Sequence, residues 1–131
     1  MAHLIALDAS VLIAFLDGGD AQHQRAEDTL ISHAEQRFCA SVLTVAEVLV
    51  GPASSGREQH VRDQLGRLDV DVVSLTDGDE LRLARMRAST SLKLPDCCVL
   101  LAADARSAAV LSFDDRLRRA AIEHGLELAD G

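Results

Sequence analysis

Short apolar runs alternate with longer amphipathic segments along the chain, and this alternation predicts the class of fold. The runs HLIAL, RFCAS, VDVVSL, AAVLS and LELA are predicted as strands. Between them lie segments whose apolar residues recur at helical spacing. Because strands that alternate with helices are typical of α/β domains, we expect a three-layer α/β/α domain with a central, mostly parallel β-sheet. We expect a single domain over residues 1–131, since no linker-like stretch interrupts the pattern.

The sequence also marks where several of the predicted helices begin and end. The segment VLTVAEVLVG is expected to end near Gly51 and Pro52, and GPASSG is predicted as a surface turn. Later, LPDCCVLLAADA is predicted as a core helix, because Pro95 suits a first helical turn and most residues after Asp96 are apolar. The other predicted helices are SVLIAFLDGG, AQHQRAEDTLISHAEQ, GREQHVRDQLGRL, DGDELRLARMRAS and DDRLRRAAIEHG.

The charge balance narrows the classes of ligand. The chain has 21 acidic and 13 basic residues, which gives a formal net charge of −8. Such an excess of negative charge disfavours non-specific nucleic-acid binding, but divalent cations held by several carboxylates would reduce it. The aromatic residues are three phenylalanines, which nearly excludes an aromatic platform for stacking bases.

The cysteine pattern indicates free thiols. Three cysteines cannot all pair, and no CxxC pair or close Cys/His spacing suggests zinc. Free thiols suit a reducing compartment, and the apolar start of the chain lacks a basic leader and is interrupted by Asp8. We therefore expect a cytoplasmic protein without a membrane span, because no segment approaches the roughly 20 apolar residues that a span needs.

Three aspartates stand where a predicted helix begins. Asp8 closes the first strand, Asp114 follows the strand AAVLS with Ser112 two residues before it, and Asp96 opens the Pro95 helix. In an open parallel sheet, ligands bind beyond the carboxyl ends of the strands. Each aspartate also has a structural interpretation as a helix cap or as a charge that complements the helix dipole. Taken singly, the three aspartates leave both interpretations open.

Glu47 lies in the middle of a predicted helix rather than at its end. Its neighbours three and four positions away are Leu43, Thr44, Val50 and Gly51. Because that surface is largely apolar, we expect the Glu47 carboxylate to be buried, and a buried carboxylate either becomes protonated or finds a cation. That cation is either an arginine or a metal with a preference for oxygen ligands, such as Mg²⁺ or Mn²⁺. Such ions can activate water and stabilise the leaving oxygen of a phosphodiester.

Four motifs that occur in order together resemble one family. LDASVLIAFL, TVAEVLVG, LKLPDCCVLLAADA and VLSFDDRL are similar to the motifs of PIN-domain ribonucleases, most closely the VapC-like toxins of type II (VapBC) toxin–antitoxin pairs. The resemblance implies a metal-binding catalytic quartet, with Ser10 and Ser112 as supporting polar residues. The quartet consists of Asp8, Glu47, Asp96 and Asp114.

The resemblance also implies an activity and partners. It implies an endoribonuclease that depends on Mg²⁺ or Mn²⁺, leaves a 5′-phosphate and a 3′-hydroxyl, and inhibits translation or growth when free of antitoxin. The implied partners are an RNA substrate, a VapB-like antitoxin and a second copy of the chain in a homodimer. Asp115 is expected to be a solvated acid of the first helical turn beside Asp114.

Basic residues near these motifs are candidates for binding RNA. Lys93, the one lysine of the chain, precedes the Pro95 helix, and Arg116 follows Asp114. Arginine and lysine can bind phosphate, and this supports an RNA-binding role for both. The structural alternative for the arginines is a solvated helix face, where they pair with neighbouring acids such as Asp79, Glu80 and Glu123.

Two other functions are weighed against the ribonuclease. A phosphatase of the haloacid-dehalogenase type also has an aspartate after its first strand, but it needs a second acid where Ser10 stands and a late lysine where none occurs. A non-catalytic PIN-like binding module would keep the fold and use the acids as helix caps. Retention of an acid at all four quartet positions argues against the binding module.

Overall fold

A four-stranded parallel sheet forms the centre of the computed structural model, which describes residues 3–130. The strand order is β3-β2-β1-β4, and every neighbouring pair is parallel. The predicted parallel α/β sheet is therefore confirmed. The strands are β1 (Leu4–Leu7), β2 (Arg37–Ser41), β3 (Val70–Val73) and β4 (Ala109–Leu111).

Seven helices connect and flank these strands within the described residues. Those between β1 and β3 are α1 (Ala9–Leu16), α2 (His23–Ser32), α3 (Val42–Ser54) and α4 (Glu58–Arg67). Those that follow β3 are α5 (Asp79–Ser89), α6 (Leu94–Arg106) and α7 (Asp115–Glu123).

Side chains of each strand alternate between two hydrophobic cores. On β1, Ile5 and Leu7 pack with residues of α1 to α4, whereas Ala6 packs with residues of α5 to α7. The same alternation divides Val110 from Leu111 on β4. Because successive side chains of a strand point to opposite faces, helices must cover both faces to bury such apolar strands. The predicted three-layer α/β/α architecture is confirmed.

The direction of the chain through the sheet reverses between β1 and β4. From β1 the chain moves outward to β2 and β3, and it then returns to place β4 on the other side of β1. Such a reversal leaves a crevice beyond the carboxyl ends of β1 and β4, and α/β proteins bind ligands at such positions. A backbone hydrogen bond of 3.3 Å from Asp8 N to Leu111 O joins β1 and β4 at this edge.

The predicted end of the third helix is wrong. Helix α3 continues through Gly51 and Pro52 to Ser54, so most of the predicted turn GPASSG is helical. A proline so near the end of a helix removes only one hydrogen bond, and the side chain of Ser54 bonds to Gly51 O at 2.6 Å. The turn follows at Gly56, whose φ of 73° favours glycine.

The last predicted strand, LELA, is only a bridge. Leu128 forms an isolated parallel bridge with Val110, and two hydrogen bonds join Val110 N to Glu127 O and Ala129 N to Val110 O. These contacts partly cover the outer edge of β4 but do not extend into a fifth strand within the described residues.

The three cysteines are buried hydrophobic groups. Cys39 lies on β2 and Cys97 and Cys98 lie on α6, and all three are free thiols. Burial raises the pKa of the Cys39 thiol to about 11. In the part of the chain that the structure describes, no helix has the length and hydrophobicity needed to cross a membrane.

Candidate functional site

Asp8 is the buried centre of an acidic site at the carboxyl ends of β1 and β4. It is the N-cap of α1, and Val11 N donates to its Oδ1 at 3.2 Å. Ser10 Oγ donates to the same oxygen at 2.7 Å, and Ser112 Oγ donates to Oδ2 at 2.5 Å. Both predicted supporting residues, Ser10 and Ser112, therefore donate hydrogen bonds to the Asp8 carboxylate.

The charge of Asp8 is kept at an energetic cost. The residue is only 4% exposed, and burial raises the pKa of its carboxyl group above the usual range. Hydrogen bonds from Ser112, Ser10 and Val11 lower this pKa, and the negative charge of Asp114 raises it further. A carboxylate that is buried but hydrogen-bonded on both oxygens is fixed in one orientation.

Ser112 links Asp8 to Asp114. Its side chain is fully buried, and while its hydroxyl donates to Asp8, its Oγ accepts a 3.0 Å bond from Asp114 N. Asp114 is the N-cap of α7, and its Oδ1 accepts from Arg116 N and Leu117 N. No described residue bonds to the other carboxylate oxygen of Asp114, so this oxygen is left for a ligand.

Asp96 lies in the first turn of α6, as predicted, but it does not cap the helix. Its carboxylate has no hydrogen bond or ion pair with any residue between 3 and 130. Burial raises its pKa most, and the charges of Asp114 and Asp8 raise it further, whereas those of Lys93 and Arg116 lower it. Asp96 therefore lies within electrostatic reach of two other acids of the predicted quartet.

Glu47 is exposed, so the prediction that it is buried is wrong. It lines a cavity of about 440 Å³ between α1, α3 and α4, and no described arginine forms an ion pair with it. Although the residue is exposed, partial desolvation of its carboxyl group raises its pKa. The negative charges of Asp96 and Asp8 raise this pKa further.

The four acids of the predicted quartet carry oxygen donors of the kind that a hydrated divalent cation binds. Their charges are mutually repulsive, and a cation would relieve that repulsion. As the side chains stand, no three acid, histidine or cysteine groups among residues 3–130 form a ready cage for a metal. Mg²⁺ does not require such a cage, because it keeps several waters and uses one or two carboxylates together with phosphate oxygens. The donor set therefore fits Mg²⁺ or Mn²⁺.

The two predicted RNA-binding residues lie beside these acids. Lys93 and Arg116 are exposed, and both lower the pKa of Asp96 by their positive charge. Neither side chain has an ion pair in the described part of the chain. The structural alternative is correct for Arg82, which pairs with Asp79 at 3.1 Å. Arg118 also pairs, but with Asp130 at 2.8 Å rather than with one of the predicted acids.

One pair of residues near this site was not predicted from the sequence. Phe113 stands between Ser112 and Asp114, and the guanidinium carbon of Arg25 lies 4.1 Å from the centre of its ring. The position of Phe113 between two predicted site residues was the one feature of the sequence that could have indicated its place near the site. The contact with Arg25 joins distant parts of the chain and has no signal in a single sequence.

Comparisons with solved structures agree with this architecture. A toxin–antitoxin complex from Klebsiella pneumoniae contains a chain 22% identical to this one, with a TM-score of 0.69 over 84% of this chain and 86% of that chain. VapC20 from Mycobacterium tuberculosis, a sarcin-ricin loop cleaving toxin, is 16% identical, with a TM-score of 0.74 over 88% and 94%. FitAcB from Neisseria gonorrhoeae is 19% identical, with a TM-score of 0.68 over 95% of each chain. At these identities the likeness establishes the fold.

The sequence itself matches a family model. No curated protein sequence matches this chain. The model of the PIN domain, however, matches residues 5–123. This range contains all four acids of the predicted quartet. The family predicted from the four motifs is thus confirmed: the chain belongs to the PIN domain family.

Proposed function

We propose that this protein is a Mg²⁺- or Mn²⁺-dependent endoribonuclease and the toxin of a toxin–antitoxin pair. The observation that carries the proposal is the pair of unsatisfied carboxylates, Asp96 and Glu47, beside the anchored Asp8. Solvent can satisfy an exposed carboxylate, but here the two unpaired carboxylates have raised pKa values and feel the charge of Asp8, an arrangement that a divalent cation would relieve.

Each acid of the quartet has a distinct task in this proposal. Asp8 is held rigidly by Ser10 and Ser112, and Asp114 offers the carboxylate oxygen that does not cap α7. Asp96 and Glu47 offer unpaired carboxylates from α6 and α3. Together they would hold Mg²⁺ or Mn²⁺, which supplies Lewis acidity and an activated water for phosphodiester hydrolysis.

The cationic residues counter the repulsion between an acidic protein and RNA. Lys93 and Arg116 lie close enough to Asp96 to lower its pKa, so they can also attract a phosphate that approaches the acids. A phosphate bound there would be oriented for in-line attack, and the gain would come from position rather than from covalent chemistry. Cleavage is expected to leave a 5′-phosphate and a 3′-hydroxyl.

The proposed partner is an antitoxin related to VapB. The solved structures with this fold include a toxin–antitoxin complex from Klebsiella pneumoniae and VapBC2 from Rickettsia felis. Glu47 shares its cavity with apolar side chains of α1, including Ile13, which is 41% exposed. A partner segment placed in this cavity would cover Glu47 and block the access of RNA to the site.

The toxin free of its antitoxin would inhibit translation or growth. We propose that the toxin is a homodimer.

Two further parts of the proposal concern the whole chain. We propose that residues 1–131 are one domain, in agreement with a family match that spans 5–123. We also propose a cytoplasmic location, which the three free cysteines favour because reducing compartments maintain thiols. Membership of the PIN family gives no support to the phosphatase alternative.

The proposal is tested by metal-dependent cleavage. Purified protein is incubated with labelled total RNA in Mg²⁺, in Mn²⁺ or in EDTA, and the ends of any fragments are sequenced. We expect discrete cleavage with either metal and none in EDTA. Asp8→Asn, which keeps a side chain able to cap α1, should abolish cleavage while circular dichroism remains unchanged. Cleavage that persists in EDTA would refute metal dependence. A folded protein that cleaves no RNA under any condition would favour the non-catalytic module, in which Asp8 and Asp114 serve only as caps.

A further inference from the structure

Arg25 and Phe113 form a contact at the edge of the acidic site. Arg25 extends from α2, and its guanidinium carbon lies over the Phe113 ring at 4.1 Å from the centroid. The ring is half-buried and packs against the core between the sheet and α1 to α4. Phe113 stands between Ser112 and Asp114 in the chain, so the contact holds a positive charge over the segment that carries two residues of the site.

The guanidinium of Arg25 is positioned but not neutralised. None of the residues from 3 to 130 forms an ion pair with it or accepts a hydrogen bond from it. A cation–π contact engages the face of an aromatic ring and does not consume N–H donors. Arg25 therefore keeps a full charge and its hydrogen-bond donors while its side chain is restrained.

Arg25 and the other two cations lie on opposite layers of the domain. Lys93 and Arg116 belong to the layer of α5 to α7, whereas Arg25 belongs to the layer of α1 to α4. Lys93 and Arg116 are close enough to lower the pKa of Asp96. Arg25 lies over Phe113 on the opposite layer, where it would meet a neighbouring phosphate rather than the one that is cleaved.

We infer that Arg25, held over Phe113, is a positioning residue that binds a backbone phosphate of RNA on the α2 side of the acidic site. This inference rests on the proposed ribonuclease function. A polyanion crossing the crevice between β1 and β4 would contact Arg25 on one side and Arg116 on the other. Two fixed contacts define the line along which a strand crosses the site, which one contact cannot do.

The test measures RNA binding in an Asp96→Asn background, in which cleavage should be about a hundredfold slower or more. A short fluorescein-labelled single-stranded RNA of mixed sequence is titrated by anisotropy in Mg²⁺ at several salt concentrations. Arg25→Gln should weaken binding about tenfold, as expected for the loss of one charge-assisted contact. It should also make the slope of log affinity against log salt shallower by about 0.7, the contribution of one phosphate on a single strand.

Two more variants separate charge from packing. Arg25→Lys keeps the charge and should retain the salt slope of the Asp96→Asn parent. Phe113→Leu keeps an apolar side chain but removes the ring that restrains Arg25, and it should weaken binding about threefold. The matched control is Arg67→Gln, which removes an exposed arginine at the end of α4, near the amino-terminal edge of the sheet. This control should bind as the parent does.

Several outcomes would overturn the inference. Equal losses for Arg25→Gln and Arg25→Lys, with no change of salt slope, would show that the residue serves packing. Unchanged RNA binding with lost binding of an antitoxin would assign Arg25 to the protein partner instead. If the Asp96→Asn protein binds RNA and the added Arg25→Gln substitution leaves its affinity unchanged, this inference alone is refuted. If the Asp96→Asn protein does not bind RNA and the wild-type protein does not cleave it, the proposed function is refuted as well.

Discussion

Asp79 and Asp96 occupy similar places in the chain and have opposite surroundings. Each lies in the first turn of a helix, and the two helices, α5 and α6, pack on the same face of the sheet. Asp79 accepts hydrogen bonds from Thr76 N at 2.7 Å and from Arg82 Nη1 at 3.1 Å. The Thr76 backbone bond is the main reason why the pKa of Asp79 is lowered. Asp96 has no such partner, and its pKa is raised.

This contrast distinguishes an acid that serves the fold from one that serves a ligand. Both acids gain from the positive end of a helix dipole, so position in a helix does not separate them. What separates them is whether the protein satisfies the carboxylate or places it beside other acids. The same criterion makes Asp114 an intermediate case, because one of its oxygens caps α7 and the other is free.

The largest expected difference between the two acids is in RNA cleavage. Asp96→Asn should lower the rate of cleavage in Mg²⁺ about a hundredfold or more, because it removes a charged oxygen ligand from the site. Asp79→Asn should leave the rate within about twofold, because Asp79 is bonded to α5 and its preceding loop. The rates are measured on labelled RNA at a temperature where both variants are folded. Similar losses in both variants would remove the distinction.

The two roles of Asp114 can be separated by two substitutions. Asparagine is a good helix cap but a neutral ligand, so Asp114→Asn should lose cleavage while the free energy of unfolding stays nearly constant. Alanine can neither cap nor bind, so Asp114→Ala should lose cleavage and also about 1 kcal/mol of stability. Denaturant unfolding in EDTA measures the second effect. If Asp114→Asn cleaved RNA normally, the free oxygen would have no role.

Stability should change in opposite directions when Asp79 and Asp96 are neutralised. A folded pKa that is raised means that ionised Asp96 weakens the fold once the pH exceeds the ordinary value of 3.8. Asp96→Asn should therefore stabilise the metal-free protein by about a few tenths of a kcal/mol near neutral pH, since solvent screens part of the repulsion. This advantage should disappear in acid, where Asp96 is protonated. Asp79→Asn should lower the melting temperature, because the lowered pKa of Asp79 means that its charge supports the fold above its ordinary pKa.

The smallest effect concerns the pH at which activity fails. Cleavage should decline in acid as the raised pKa values of Asp8, Glu47 and Asp96 are crossed, because a protonated carboxyl group binds metal poorly. The Ser112 hydroxyl lowers the pKa of Asp8, so Ser112→Ala should move the decline to higher pH. Ser10→Ala should move it less, since Ser10 is the weaker of the two hydrogen-bond contributions. A pH–rate profile that is identical in all three proteins would show that Asp8 does not control it.

The strands and the anchored aspartates could be predicted because their signals are local. An apolar run that ends in Asp8, followed by a helical pattern, defines both a strand end and a helix cap. Asp114 follows from the same pattern after β4. These two positions converge because parallel strands that are neighbours in the sheet end at the same edge.

The errors arose where distant parts of the chain decide the local structure. The neighbours of Glu47 on its own helix are mostly apolar, but the space beyond them is a cavity open to solvent rather than packed protein. Helix α3 also continues past Pro52 to Ser54, despite the local signal to stop. The contact between Arg25 and Phe113 depends on how α2 lies against the loop after β4, which no periodicity describes.

The burial of all three thiols has a practical use. Cys39, Cys97 and Cys98 are shielded by the core, and burial raises the pKa of each, so the native protein should react slowly with maleimides or iodoacetamide. A cysteine introduced at an exposed position such as Ile31, which is 71% exposed, would then be the one fast-reacting group. The wild-type interior therefore permits a single fluorescent dye to be attached at a chosen surface site without first removing any native residue.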